Sequence, residues 1–366
     1  MDFSACSFYS AAISARPIGS FAMQQKINTH RRGFKRWLVA TVSAAGLVLV
    51  AACGGSGGGG EASDPNELVD MKLATSLVDS LPFMTLIKVA ADKGWFEEEG
   101  INFELISASG GGDTARALSS GAADLAITGP DAVLKLVEKS SGTFVNVGPW
   151  MNYNIVYWMA ADAKVSLKDA TLGVTGAGST GEMIGKAVMA AKPDENIKLV
   201  VAGGLGAQWA AAKSRKISGA YSASPGSVAL QKEDGAAVLV AARDIVGDLP
   251  MDLVAVNKKY ADENPDAVKA FWKVADRAYT YIREDTEAAV ADVNKYIKMD
   301  EAVLLSAVKK ELESPLAYKI EVDCDSLYNM SDVMMKGGAT TAPIDWTKAM
   351  DQQYLPSASQ AQCTGE

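Results

Sequence analysis

Gly176-Ala177-Gly178-Ser179-Thr180-Gly181 has the spacing G-x-G-x-x-G and lies between a predicted strand, Thr171 to Thr175, and a predicted helix, Gly181 to Ala191. Glycines at such a turn let the backbone approach a bound group, and the free N–H groups of the helix start then bind it if it is anionic or strongly polar. The dinucleotide fingerprint also needs an acid about 20 residues further on, at the end of the following strand. Here that strand ends Val200-Val201-Ala202-Gly203-Gly204, and Asp194 and Glu195 precede it. A dinucleotide-dependent oxidoreductase is therefore the weaker reading. A nucleotide P-loop is excluded, because Ala187 follows Gly185-Lys186 and Thr180 stands where the first glycine belongs.

Ser109-Gly110-Gly111-Gly112-Asp113-Thr114 offers a second glycine-rich turn between strand and helix. Each turn also has a purely structural explanation, a tight turn with an N-cap. If they face each other across a cleft, the candidate ligand residues are those that follow predicted strands. They are Ser76, Asp79 and Phe83; Ser109, Gly110, Asp113 and Thr114; Gly129 and Pro130; Trp150, Asn152, Tyr153 and Asn154; Gly178, Ser179, Thr180 and Gly181; and Ser222 and Ser224, within Ser222 to Pro225. Hydroxyls and N–H groups near Ser109 and Ser179 suit a polar or anionic head. Phe83, Trp150 and Tyr153 suit a planar or apolar body, although aromatics so placed also serve as core. A small organic acid or heteroaromatic solute is expected over bare nitrate. Tyr157 and Trp158 crowd the same crossover, Trp209 and Tyr221 fall where loops meet the cleft, and Arg243 follows a strand from which it could reach an anion or pair at the surface.

The elements that must position these residues alternate at βαβ spacing. Strands are predicted at Met71 to Leu77, Asn102 to Ile106, Asp124 to Thr128 and Phe144 to Val147, with helices at Pro82 to Lys93, Thr114 to Ser120 and Asp131 to Lys139. A β-rich stretch, Ile155 to Ala160, interrupts the alternation. A second series follows, with strands at Thr171 to Thr175, Ile197 to Val201, Ile217 to Tyr221 and Ala237 to Ala241 and helices at Gly181 to Ala191, Ala207 to Lys213 and Gly226 to Gln231. Leu253 to Asn257 reads as a strand returning to the first unit. Helices then run over Pro265 to Arg283, Thr286 to Ile297, Glu301 to Leu312 and Ser326 to Lys336. Two small α/β lobes crossed by two strands, with helices closing the end, is the economical topology.

The only histidine of the chain, His30, lies in a segment read below as removed. Ser-His-Asp and Cys-His triads, histidine zinc sites and a histidine general base are thereby excluded from the mature protein. No catalysis, metal or cofactor is expected. Removing residues 1–52 takes six Lys/Arg and one acid, Asp2, from totals of 35 and 44, which leaves a formal charge of −14. Such a chain is no nucleic-acid binder by bulk charge.

Arg31-Arg32-Gly33-Phe34-Lys35-Arg36 precedes an apolar run, Trp37 to Ala52, of about 16 residues, and then Cys53 and a glycine tract through Gly60. A basic region, a short apolar region and Val50-Ala51-Ala52-Cys53 make an export signal with a lipobox, too short to be a spanning helix. Cys53 is then the lipidated first residue, and residues 53–69 are a flexible tether. Export is by the general secretory route or, given Arg31-Arg32, the twin-arginine route. Residues 1–22 precede Met23, a second possible start. With Cys6 in the precursor and Cys53 lipidated, Cys324 and Cys363 remain, and two thiols in an exported protein most simply pair. The expected division is a signal over 1–52, the tether, lobe 1 over 70–160 and 252–350, lobe 2 over 161–251, and a tail over 351–366.

The chain resembles the substrate-binding proteins of ABC importers in the nitrate/sulfonate/taurine class, which includes binders of thiamine precursors. The resemblance is carried by Ala90-Ala91-Asp92-Lys93-Gly94-Trp95-Phe96-Glu97-Glu98-Glu99-Gly100, by Ser119-Ser120-Gly121-Ala122-Ala123-Asp124-Leu125-Ala126 and by Gly178-Ser179-Thr180-Gly181-Glu182. Val256-Asn257-Lys258-Lys259-Tyr260 through Asn264-Pro265-Asp266-Ala267-Val268-Lys269-Ala270-Phe271 extends it. Ser214-Arg215-Lys216-Ile217-Ser218-Gly219-Ala220 departs from it, since the family has Gly-x-Ile-Asp-Ala there. The resemblance implies a two-lobed type II periplasmic-binding-protein fold, with C-terminal helices packed on the first lobe. It also implies a monomer that closes on a small solute and delivers it to permease and ATPase subunits, held by its lipid at the outer face of the cytoplasmic membrane or in the periplasm. A sensor that presents the closed form to a membrane receptor is the alternative. The pyrimidine synthases that share the fold depend on histidine and clustered cysteines, which the mature chain lacks.

Overall fold

The computed structural model describes residues 68–177 and 179–364. The signal segment, Cys53 and its proposed lipid, most of the tether, and Gly178 lie outside the described residues.

In the first lobe β1 (Val69–Thr75), α1 (Pro82–Asp92), α2 (Trp95–Glu98), β2 (Ile101–Ser107), α3 (Gly111–Ser119), β3 (Leu125–Thr128), α4 (Pro130–Lys139) and β4 (Phe144–Trp150) follow in order. Their causes are local. Pro82 and Pro130 start α1 and α4 at the position where a missing N–H is harmless. The apolar stripe Phe83, Met84, Leu86, Ile87, Val89 and Ala90 buries one side of α1. β3 is buried at every position, the pattern of a strand covered on both faces.

The second lobe comprises β5 (Val156–Ala160), β6 (Thr171–Val174), α5 (Thr180–Ala191), β7 (Lys198–Val201), α6 (Leu205–Lys213), β8 (Ala220–Ala223), α7 (Gly226–Asp234) and β9 (Ala237–Ala241). After the short α8 (Arg243–Val246) the chain returns as β10 (Asp252–Asn257). Then come α9 (Lys258–Glu263), α10 (Pro265–Glu284), α11 (Thr286–Ile297), α12 (Glu301–Glu311), α13 (Cys324–Lys336) and α14 (Trp346–Ala349).

The lobes share one plan. The first sheet has the order β2-β1-β3-β10-β4. In the second, β8-β5-β9 and β6-β7 join through the parallel bridge Leu172–Gly219 and the bond from Gly173 N–H to Gly219 O at 2.8 Å. The strand that arrives from the other lobe, β10 in the first sheet and β5 in the second, is antiparallel to both of its neighbours. This pairing differs from the expected lobe boundary at residue 160: the backbone groups of Val156–Ala160 are satisfied by β8 and β9 of lobe 2. Alternation identifies a strand but not the sheet that takes it. The predicted strand Ile217 to Tyr221 likewise begins later, at Ala220, because Ile217 is buried in a turn beneath Gly173.

The crossings at residues 151–155 and 242–251 are tied together. Met251 N–H donates to Met151 O at 2.9 Å, and Asn154 N–H to Asp248 Oδ1 at 3.1 Å. The C-terminal helices α10 and α11 pack on α1 of the first lobe. The later helices reach further, α12 to α7 and α13 to α5, both in the second lobe. Cys324, which opens α13, is bonded to Cys363, with Cα atoms 5.2 Å apart.

Candidate ligand-binding site

Registers Thr75–Ser107, Thr128–Leu253 and Trp150–Asp252 align the carboxyl ends of β1, β2, β3 and β4 with the start of β10 along one edge of the first sheet. In the second sheet β5 starts where β8 and β9 end, at the pairs Val156–Ala223 and Tyr157–Ala241. Ligands of such sheets sit beyond these edges.

The two edges meet through helix starts. Gly129 precedes α4, and a Cβ placed on it would lie 3.4 Å from Thr180 Oγ1, at the start of α5 in the other lobe. A Cβ on Gly111, the first residue of α3, would lie 2.8 Å from Thr128 Oγ1. Thr128 is buried, and its hydroxyl has no hydrogen-bond partner. Gly181 lies under Tyr221, whose Cε2 would be 2.9 Å from an added Cβ, so only glycine leaves room for the ring. Ser179 caps α5 by accepting from Glu182 N–H at 3.2 Å. The start of α3, Gly129 at the start of α4, and the Thr180 turn are thus brought together.

Other predicted positions have different surroundings. Phe83 is buried in α1. Trp150 lies in the core of the first lobe with its ring 5.1 Å from Tyr279 and 6.3 Å from Trp272. Asp79 is exposed and pairs with Lys88 at 2.5 Å, Asp113 pairs with Arg116 at 2.5 Å, and Thr114 Oγ1 donates to Gly110 O within its own helix. Ser76 is half-buried beside the exposed Leu77.

Asn152, Tyr153 and Asn154 serve the crossing. Asn154 Nδ2 donates to Gly247 O at 3.2 Å while its Oδ1 accepts from Val156 N–H, and Asn152 Nδ2 donates to Glu321 O at 2.7 Å. The Tyr153 hydroxyl accepts from Arg243 Nη1 at 2.8 Å, and that guanidinium lies over the Tyr153 ring, which holds Arg243 at the crossing beside Asp248. Ser222 is buried within β8. Ser224 donates to Glu311 Oε1, and Glu311 also accepts from the Tyr318 hydroxyl at 2.6 Å. Burial pushes the Glu311 carboxyl up to about 7.

The site residues predicted from sequence do not include Asp252 or Thr128. The predicted return strand begins one residue later, at Leu253, and leaves Asp252 outside it. An acid directly ahead of a buried apolar run was the available signal. Asp252 is half-buried, and burial pushes its carboxyl up to about 7. Burial, with the Asp252 charge added, pushes the Tyr221 phenol up to about 12 and carries that of Tyr279 well above its usual value.

A family model described as NMT1/THI5 like matches residues 82–289. No curated protein matches the chain. Among solved structures, the aliphatic sulphonate binding protein SsuA from Escherichia coli is 14% identical with a TM-score of 0.62, over 83% of this chain and 97% of its own. The nitrate-binding protein NrtA from Synechocystis is 16% identical with a TM-score of 0.59, over 79% and 87%. The ligand binding component of an ABC-type import system from Staphylococcus aureus is 15% identical with a TM-score of 0.62, over 80% and 100%. At these identities the likeness is one of fold, and the fold is the two-lobed type II periplasmic-binding-protein fold.

Proposed function

The chain belongs to the NMT1/THI5-like family, and from that membership we propose that it is an exported, lipid-anchored solute-binding protein of an ABC importer. The observation that carries this reading is the meeting of Gly129 and Thr180, which sets the helix starts of α4 and α5 against each other across the two lobes. A small organic solute enters between the sheet edges and touches both lobes only when they close. Its binding energy therefore shifts the population toward the closed form, which the permease and ATPase subunits recognise. The protein performs no catalysis and acts as a monomer. Its lipid on Cys53 and the glycine tether keep it at the outer face of a membrane.

A thermal-shift screen of small anions, sulfonates, pyrimidines and aromatic acids tests the reading. At least one class should raise the melting temperature in proportion to the logarithm of its concentration. No response to any class counts against solute binding. Fractionation of cells carrying Cys53→Ser tests the anchor: the variant should become soluble, and retention on membranes would remove the lipobox argument.

A further inference from the structure

Glu311, the last residue of α12, is buried and accepts from two hydroxyls that belong to different parts of the molecule. One is Ser224, between β8 and α7 in the second lobe, and the other is Tyr318, at 2.6 Å. Tyr318 is fixed to the crossing and to the first lobe. Its N–H donates to Met151 Sδ at 3.4 Å, its carbonyl accepts from Arg283 of α10, and its ring meets Tyr279 of α10 edge-on at 5.7 Å. α12 itself is packed on two sides, with Val303 and Ala307 against Val228 of α7 and with Leu304 and Val308 in the core that α10 and α11 share.

Two-lobed folds move as rigid lobes about their crossings. Whichever lobe carries α12 in that motion, one of the two bonds to Glu311 spans the boundary that moves. Parting it admits water to a carboxyl that the packed chain encloses. We propose that Ser224, Glu311 and Tyr318 form a clasp between the lobes, fastened when the carboxyl is protonated and loosened when it is ionised. The clasp depends on the two-lobed fold and on no particular solute. Its sign follows from linkage. The two hydroxyls favour the ionised carboxylate, but burial outweighs them and raises Glu311 from 4.5 to about 7 in the clasp. Parting the clasp returns the group toward its ordinary value, so the clasped form holds the proton more tightly and rising pH favours the parted form. Other groups face this cluster. The Tyr153 and Tyr157 phenols lie within reach of the Glu311 charge, Arg243 is bonded to the Tyr153 hydroxyl at 2.8 Å, Arg283 pairs with Asp276 at 3.9 Å, and Lys232 of α7 donates to Ala302 O at 3.3 Å. Among the described residues no Lys or Arg is paired with Glu311 itself.

The test places spin labels on the mature chain carrying Cys53→Ser, at Lys139→Cys and Lys192→Cys, exposed positions at the far ends of α4 and α5 with one in each lobe. The bonded Cys324 and Cys363 take no label. Pulsed electron spin resonance then measures the distance between the lobes at pH 5 and pH 8 without solute. A second distance population should grow, its ratio to the clasped population rising about 10- to 100-fold between the two pH values. Glu311→Gln keeps the shape of the side chain but does not titrate, and its distances should be the same at both. A wild-type distribution that does not change with pH overturns the clasp. So does a change that persists in Glu311→Gln, which assigns the effect to another group. If Glu311→Gln fails to fold, Ser224→Ala decides: it removes one of the two bonds, so the second population should already be enlarged at pH 5, and an unchanged distribution overturns the inference. Each of these outcomes leaves the solute-binding reading as it stands.

Discussion

Thr180 of the second lobe stands directly against Gly129 of the first, so close that a methyl group on Gly129 would just touch Thr180 Oγ1, at 3.4 Å. Gly129 has φ −52°, which any residue adopts, so its small size matters for the approach of the lobes and not for its own backbone. Gly129→Ala should therefore be tolerated. Gly129→Leu should hold the lobes apart, weakening solute affinity by about tenfold or more without lowering the melting temperature of the unliganded protein. Small-angle scattering and calorimetry check this, and a Leu variant that stays as compact and binds as tightly as wild type would show that closure does not bring these residues together.

Gly181 and Tyr221 give a test of packing within the second lobe. The added Cβ of Gly181→Ala would press on the tyrosine ring at 2.9 Å, and the variant should lose about 1 to 3 kcal/mol. Combined with Tyr221→Ser, which removes the ring, most of that loss should vanish. Urea unfolding of the four proteins measures the coupling.

Stability should fall as pH rises from about 4 to 7. In the fold, Glu311 and Asp252 are each raised to about 7 by burial, from ordinary values of 4.5 and 3.8. Each therefore holds its proton more tightly folded than unfolded. The stabilisation is fully present below the unfolded pKa and is lost as pH climbs through the folded one. Urea unfolding at pH 5 and pH 8 should differ by a few kcal/mol, and Glu311→Gln should remove a large part of the difference. A stability that rises over this interval in the wild type would contradict the assignment.

The bond between Cys324 and Cys363 closes a loop of sequence separation 39 and ties the C-terminal segment to the start of α13, near which Val322 N–H also donates to Ser359 O at 2.8 Å. Non-reducing mass spectrometry of the exported protein should find the linked peptides. Replacing both cysteines by serine should cost up to about 4 kcal/mol through the freed unfolded chain. Two freely alkylated thiols in the exported protein would reject the pairing.

The sequence by itself determined the order and approximate limits of nearly every strand and long helix. It also identified the glycine turns that open α3 and α5. Those features are local: Pro82 and Pro130 start helices, Ser179 caps one, and the apolar stripe of α10 follows from period alone. Tertiary structure decided what depends on partners far away in the chain. β5 joined the second sheet because β8 and β9 satisfy its backbone. Trp150 went to the core beside Tyr279, and Asn154 went to the crossing at Gly247. Asp252 took its place only when β10 crossed back between β3 and β4 and set it opposite Trp150. A side chain's charge and size are written locally, but its burial and its neighbours are properties of the packed chain.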